Sequence, residues 1–251
     1  RIENFHIHQK KIAKELADVD AELEVVSSQP TTAMVIIRSD DASGTLKTVA
    51  SQVMPIDTGS NRLTLNVRIP YPKLWFPHGY GAQPRYKFTA AIRMNRQFVA
   101  TAEVKTGLRS IELRRVYDQW GRSFTFVVNG IPIFAKGANI IPFDSFPSRV
   151  TPEIHRRILQ AAVDAHMNMV RDWGGGYYES DDYYDICDEL GILVWQEFMF
   201  GGDMVPGDVA FQENVREEAI EQVKRLRDHP SVVLWCGNNE VATGWKNWGD
   251  R

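Results

Sequence analysis

Polar and apolar residues alternate with one period in the first part of the chain and with another in the second. Over residues 1 to about 110 the period is two. In "RLTLNVRI" Leu63, Leu65, Val67 and Ile69 fall on one side, with Arg62, Thr64, Asn66 and Arg68 on the other. That pattern predicts a strand with one buried face. "AELEVVS" repeats it, as does "RYKFTAAIRM", which puts Tyr86, Phe88, Ala90 and Ile92 on one side. Turn-rich pieces such as "SDDASG" and "DTGSN" separate these runs. Several short alternating strands with no helical pattern predict an immunoglobulin-like β-sandwich over residues 1–110.

After residue 110 the rhythm changes. "FTFVVNGIPIFAKGANII" is a hairpin-like run around Asn129-Gly130 leading into an apolar strand. "TPEIHRRILQAAVDA" reads as a helix with Thr151 as N-cap and Pro152 at the first helical position. Its apolar face is expected at Ile154, Ile158, Ala161, Ala162 and Ala165. The strand "NMVRDW" follows, then a helix in "SDDYYDICDELG", capped by Ser180 and stopped before Gly191. A third strand, "ILVWQEF", leads to a longer helix with Phe211, Val215, Ala219, Val223 and Leu226 on one face. "VVLWCGN" is the fourth strand. Strand, helix, strand, helix with nearly continuous apolar strands is the pattern of a parallel sheet. The repeat averages about 33 residues, close to that of a (β/α)₈ barrel. An open doubly wound sheet has similar spacing, but no Gly-rich phosphate loop follows the first strand. Taken as the first four βα units of a barrel, residues 111–251 would leave two parallel edges bare on their own.

Composition narrows the function classes. The 29 basic and 32 acidic residues leave a formal charge of −3, which makes no electrostatic case for nucleic acid or an anionic membrane. No run of about 18 apolar residues is present to span a bilayer. Cys187 and Cys236 have neither CxxC spacing nor the look of a disulfide framework, and read as reduced core cysteines.

In a barrel the chemistry sits where strands end and βα loops begin. Those positions hold Asn139 and Asp144 after the first strand, then Arg171, Asp172 and Trp173 after the second. Gln196 and Glu197 follow the third strand, and Asn238, Asn239 and Glu240 the fourth. Structural readings stand beside the functional ones. Asp144 in "PFDSFPS" equally makes an Asx turn, Arg171 and Glu197 equally pair with each other, and Trp173 equally packs a core. "LWCGNNEVATGW" runs from an apolar strand, with Leu234 and Trp235 expected to be buried, straight into Asn239 and Glu240. A carboxylate delivered there carries a desolvation cost that catalysis would explain.

"VNGIPIFAKGAN", "WGGGYYESDDYYDICDELGILVWQEFMF" and "LRDHPSVVLWCGNNE" resemble the β-mannosidases of glycoside hydrolase family 2, and "LWFPHGYGAQPRY" is similar to the segment closing that family's immunoglobulin-like domain. The resemblance implies a retaining exo-glycosidase without a cofactor. Its substrates would be β-mannoside oligosaccharides or glycoconjugate glycans, attacked at terminal β-D-mannose. Glu240 then matches the acid/base, Asn239 the residue holding the sugar 2-hydroxyl, and Trp173 an aromatic wall of the sugar subsite. Asp144, Asn139, Arg171 and Glu197 join them as substrate-side residues. An apolar strand end with a second carboxylate nearby would keep the acid protonated near neutral pH.

Four departures from the family pattern stand out: Ile140 where Trp is usual, Asp172 before Trp173 where Val is usual, Glu197 where Asp is usual, and a "MFGGDMVPGD" loop without the usual Cys and Tyr. The resemblance also puts a jelly-roll domain before Arg1, and the nucleophile with the second half of the barrel beyond Arg251. The 251 residues would then be inactive alone, with the rest of the same polypeptide as their partner. Two other readings remain at this point: a further β-glycosidase of the same family, or a non-catalytic module binding a glycan or a protein.

Overall fold

The computed structural model describes residues 1–40 and 46–248. These divide into two compact units, residues 1–75 with 84–132 and residues 76–83 with 133–248.

The first unit is a sandwich of two antiparallel sheets. Strands β1 (Ile2–Ile12), β2 (Leu16–Ser27) and β5 (Gly59–Pro70) form one, in the order β1-β2-β5. Strands β3 (Thr31–Asp40), β4 (Leu46–Ile56), β6 (Tyr86–Met94) and β7 (Gln97–Thr106) form the other, in the order β4-β3-β6-β7. The two-residue period is what builds its core. Ala17, Val19, Ala21, Leu23 and Val25 of β2 face inward, beside Leu63, Leu65 and Val67 of β5. From the second sheet come Val35, Ile37, Tyr86, Phe88, Ala90 and Ile92. A constant-type immunoglobulin domain keeps its fourth strand with the first two, whereas here β4 pairs with β3 along most of its length. The turn expected in "SDDASG" falls mainly on residues 41–44, outside the described residues.

Short strands β8 (Ile111–Arg114), β9 (Tyr117–Asp118), β10 (Gly121–Arg122), β11 (Thr125–Val128) and β12 (Ile131–Ile133) close this unit. The hairpin expected at Asn129-Gly130 joins β11 to β12, with φ of 50° and 80° at the two turn residues.

The second unit has the expected parallel sheet. Strands β13 (Gly137–Ile140), β14 (Met169–Asp172), β15 (Leu193–Glu197) and β16 (Val232–Cys236) lie in chain order, each parallel to its neighbours. Helices α1 (Pro152–Asp164), α2 (Asp181–Leu190) and α3 (Val209–Leu226) link them, and α4 (Val241–Asn247) follows β16. The core between sheet and helices holds Val170, Val194 and Val232 from the strands, with Leu159, Tyr183, Tyr184, Ile186, Cys187 and Leu226 from the helices.

Two expected details differ. Helix α1 buries His155 and Leu159, while Ala161 and Ala165 are exposed. The buried stripe therefore runs one position away from the apolar one, because His155 has partners inside. Leu234 and Trp235 are only half-buried, since β16 forms an edge of the described sheet; Trp235 stacks on Phe198 at 5.4 Å.

Candidate active site

Alternation along β14 sends Arg171 and Asp172 to opposite faces of the sheet. Arg171 joins a continuous chain of polar contacts across the C-terminal ends of the strands. Its Nε donates to Glu197 Oε1 at 2.9 Å, and Nη2 lies 2.8 Å from the same oxygen. Nη1 donates to Asn139 Oδ1 at 3.2 Å and Nη2 to Asn239 Oδ1 at 2.6 Å. A guanidinium suits this junction, having five donors in a rigid plane and no acceptor. Glu197 is 1% exposed, and its second oxygen accepts the Gly174 N–H at 2.9 Å. Both oxygens of this buried carboxylate are thus hydrogen-bonded, which offsets its desolvation.

The Arg171 contact orients the Asn239 amide, because Arg171 can only donate. Asn239 Nδ2 then faces the Gly201 carbonyl at 3.1 Å and Glu240 Oε2 at 3.3 Å. Asn239 is buried, but Glu240 is exposed. The desolvation expected of Glu240 is therefore not found: the buried carboxylate of this rim is Glu197. Glu240 instead carries backbone strain, with a left-handed φ of 57° at the entry to α4.

Trp173 is half-buried, and the glycines behind it serve its ring directly. A Cβ on Gly175 would lie 2.1 Å from the Trp173 ring, so a glycine is required for the two to approach this closely. The Trp173 N–H donates to the Ile140 carbonyl, while Gly174 ties the same loop to Glu197. Asp144 has a different environment. Its Oδ1 accepts the Phe146 N–H at 2.8 Å, an Asx turn, and Arg149 lies 3.9 Å away. The structure thus brings Asn139, Arg171, Glu197, Asn239 and Glu240 into one hydrogen-bonded chain, with Trp173 attached through Gly174. Asp144 stands outside it.

The helix-facing side of the same strands holds a second polar cluster, to which the strand-end reading assigned no role. Asp172 is 4% exposed and accepts the Tyr183 hydroxyl at 2.6 Å. Buried His155 sits between Glu179 Oε2, at 3.2 Å, and Asp182 Oδ2, at 2.8 Å. Next along the sheet, the Tyr184 hydroxyl donates to Gln196 at 2.7 Å. Burial pushes the Asp172 carboxyl up to about 7, with the Tyr183 hydrogen bond opposing it and the Glu179 carboxylate adding to it. Burial alone would lower His155, yet its hydrogen bonds to Glu179 and Asp182 prevail and raise it. The helical spacing of His155 and Leu159 was the signal that could have located this cluster. Both cysteines are free, Cys187 buried and Cys236 half-buried.

A β-sandwich followed in the chain by parallel βα units, with amide and carboxylate side chains gathered at the strand ends, is the build of a multidomain barrel enzyme. The model of glycosyl hydrolases family 2 matches residues 1–109, and that of the glycosyl hydrolases family 2 TIM barrel domain matches residues 122–247. The chain belongs to glycosyl hydrolases family 2. Among its relatives are a β-mannosidase of Rattus norvegicus, 40% identical over 92% of this chain and 26% of its own length, and β-mannosidase B of Thermothelomyces thermophilus, 43% identical over 76% and 23%. The crystal structure of a β-D-mannosidase from Dictyoglomus thermophilum superposes with a TM-score of 0.92 at 40% identity, covering 100% of this chain and 31% of that one. A β-glucuronidase of Bacteroides uniformis, at 20% identity and a TM-score of 0.79, shares the fold. The chain spans about a quarter of the length of the curated relatives it matches.

Proposed function

We propose that this chain carries the acid/base half of a retaining exo-β-mannosidase, which removes terminal β-D-mannose from β-mannosides. In this reading residues 1–110 are the immunoglobulin-like domain and residues 111–251 the first half of the catalytic barrel. The observation that carries it is the exposed Glu240 at a parallel strand's C-terminal end, directly beside an Asn239 locked to Arg171. Glu240 first gives its proton to the glycosidic oxygen and later takes one from the attacking water. Asn239 holds the sugar 2-hydroxyl, a contact that tightens as positive charge develops on the ring. Trp173 offers a flat apolar face to the sugar.

Arg171 and Glu197 act differently from the other site residues. Glu197 is buried with both oxygens engaged, so it serves the site by holding Arg171 and the Gly174 amide; Arg171 in turn fixes Asn139 and Asn239. The nucleophile is assigned to a strand outside these residues, and the 251 residues alone do not turn over substrate. Mannose is the sugar of choice because β-mannosidases are the relatives at 40% identity and above. A panel of nitrophenyl β-glycosides tests this on the intact protein that carries the sequence. The mannoside should be cleaved at least about 100-fold faster than the galactoside, glucuronide and glucosaminide, a gap of about 2.7 kcal/mol. A faster rate on any of the other three would overturn the mannose assignment.

A further inference from the structure

We propose that Asp172 is a positioning residue whose neutral acid form seats the Trp173–Gly176 loop against the helix-facing core. The inference rests on the reading of Trp173 as a wall of the sugar site. Its ground is a charge imbalance that geometry alone exposes. Asp172, Glu179 and Asp182 put three carboxyl groups around one imidazole, and His155 is already shared between Glu179 and Asp182. With both ring nitrogens facing carboxylate oxygens, His155 donates from both only as an imidazolium. One cation is then shared among three carboxyl groups, and its attraction opposes the burial of Asp172 without cancelling it. An ionised Asp172 would add a third negative charge to a region where it and Glu179 are each about 5% exposed or less. A neutral acid removes that charge.

The hydrogen bonding points the same way. Asp172 Oδ1 accepts the Tyr183 hydroxyl, while Oδ2 is buried and has no protein partner among the described residues. Asp172, Glu179, Tyr177, Trp173 and Gly176 all line one small cavity of about 10 Å³. That is room for about one water, too little for a sugar or another organic ligand. The side chain therefore serves the loop rather than a substrate. Burial raises Tyr177 of the cavity wall and Tyr184 and Cys187 of α2, so none of them supplies charge near neutral pH, while Arg225 of α3 donates to the Glu179 carbonyl at 3.0 Å and pairs with Asp181. On the other side of the same strand Arg171 is committed to Glu197, Asn139 and Asn239. Ionising Asp172 thus puts a second negative charge beside Glu179 in a cavity whose wall includes Trp173 and Gly176.

The test reads the proton and the loop separately, on the intact protein. Infrared difference spectra between about pH 5 and about pH 9 should show a protonated-carboxyl band lost with a midpoint of about 7 and absent from Asp172→Asn. Tyr183→Phe removes a hydrogen bond that favours the carboxylate and should move the midpoint up. Glu179→Gln removes the neighbouring charge and should move it down. Hydrogen exchange at residues 173–176, corrected for its intrinsic pH dependence, should accelerate through the same midpoint in the wild type and not in Asp172→Asn. If the protein is a mannosidase, its KM should rise by up to about tenfold per pH unit above the midpoint, and Asp172→Asn should flatten that rise while sparing kcat. A band that persists in Asp172→Asn, or a midpoint unmoved by both neighbouring variants, overturns the protonated acid. Exchange that ignores the midpoint overturns its role in seating the loop. The infrared and exchange results hold whatever sugar the enzyme cleaves, so failure of the mannosidase reading is told apart from failure of this one.

Discussion

The two faces of β14 solve the same problem, a buried carboxyl group, in different ways. On one face Glu197 is met by a guanidinium and a backbone amide. On the other, Asp172 has a tyrosine hydroxyl and, among the described residues, no ion pair of its own, so its charge depends on protons. A permanent partner gives a rigid rim on which Asn139 and Asn239 are aligned. A proton-dependent one leaves its neighbourhood responsive to pH. Adjacent residues of one strand therefore supply the fixed and the adjustable parts of a single site, because strand alternation separates them by a sheet's thickness.

The largest expected effect breaks the rigid side. Arg171→Met leaves Glu197 buried without a cation and should cost about 3–5 kcal/mol of stability, read by chemical denaturation. Adding Glu197→Leu should recover much of that loss, since two apolar side chains replace the ion pair. If the double variant is no more stable than the single, the pair is not what holds the rim.

The adjustable side comes next. Asp172 is raised from the ordinary carboxyl value of 3.8 to about 7 on folding. Its stabilising contribution is thus fully present below the unfolded value, and is lost as pH rises through the interval toward 7. The span is about three units, of order 4 kcal/mol at most. His155 acts in the same direction higher up, being raised, so its contribution is lost as pH climbs through its folded value. Asp172→Asn should remove the part of the decline between about pH 4 and about pH 7. Denaturation curves that keep the full decline would contradict the assignment.

The architecture was legible because it is written in periodicity. A period of two placed Leu63, Leu65 and Val67 in the sandwich core, and the repeat of about 33 residues located all four parallel strands. What stayed hidden were polar groups whose partners lie far along the chain. His155 lies off the apolar stripe of its helix, and its partners Glu179 and Asp182 follow 24 and 27 residues later. Asp172 is visible in the sequence at its strand end, but its tie to Tyr183 depends on how α2 packs. The burial expected of Glu240 belongs to Glu197, because β16 forms an edge of the described sheet while β15 lies inside it.

The smallest effect concerns Asp144, whose Asx turn is part-exposed. Asp144→Ala should cost only about 0.5–1 kcal/mol of stability and leave KM unchanged. A several-fold rise in KM would instead make it a substrate contact and extend the site beyond the Arg171 chain.

The assignment of Glu240 as acid/base is tested most directly by Glu240→Gln in the intact protein, assayed on aryl mannosides of differing leaving-group ability with and without azide. Hydrolysis of poor leaving groups should slow by roughly 10²–10⁴-fold. Activated leaving groups need little protonation, so their glycosylation step should suffer far less. Azide should restore part of the turnover and yield a β-mannosyl azide. Equal slowing of good and poor leaving groups, with no rescue by azide, would mean that Glu240 does not carry the proton.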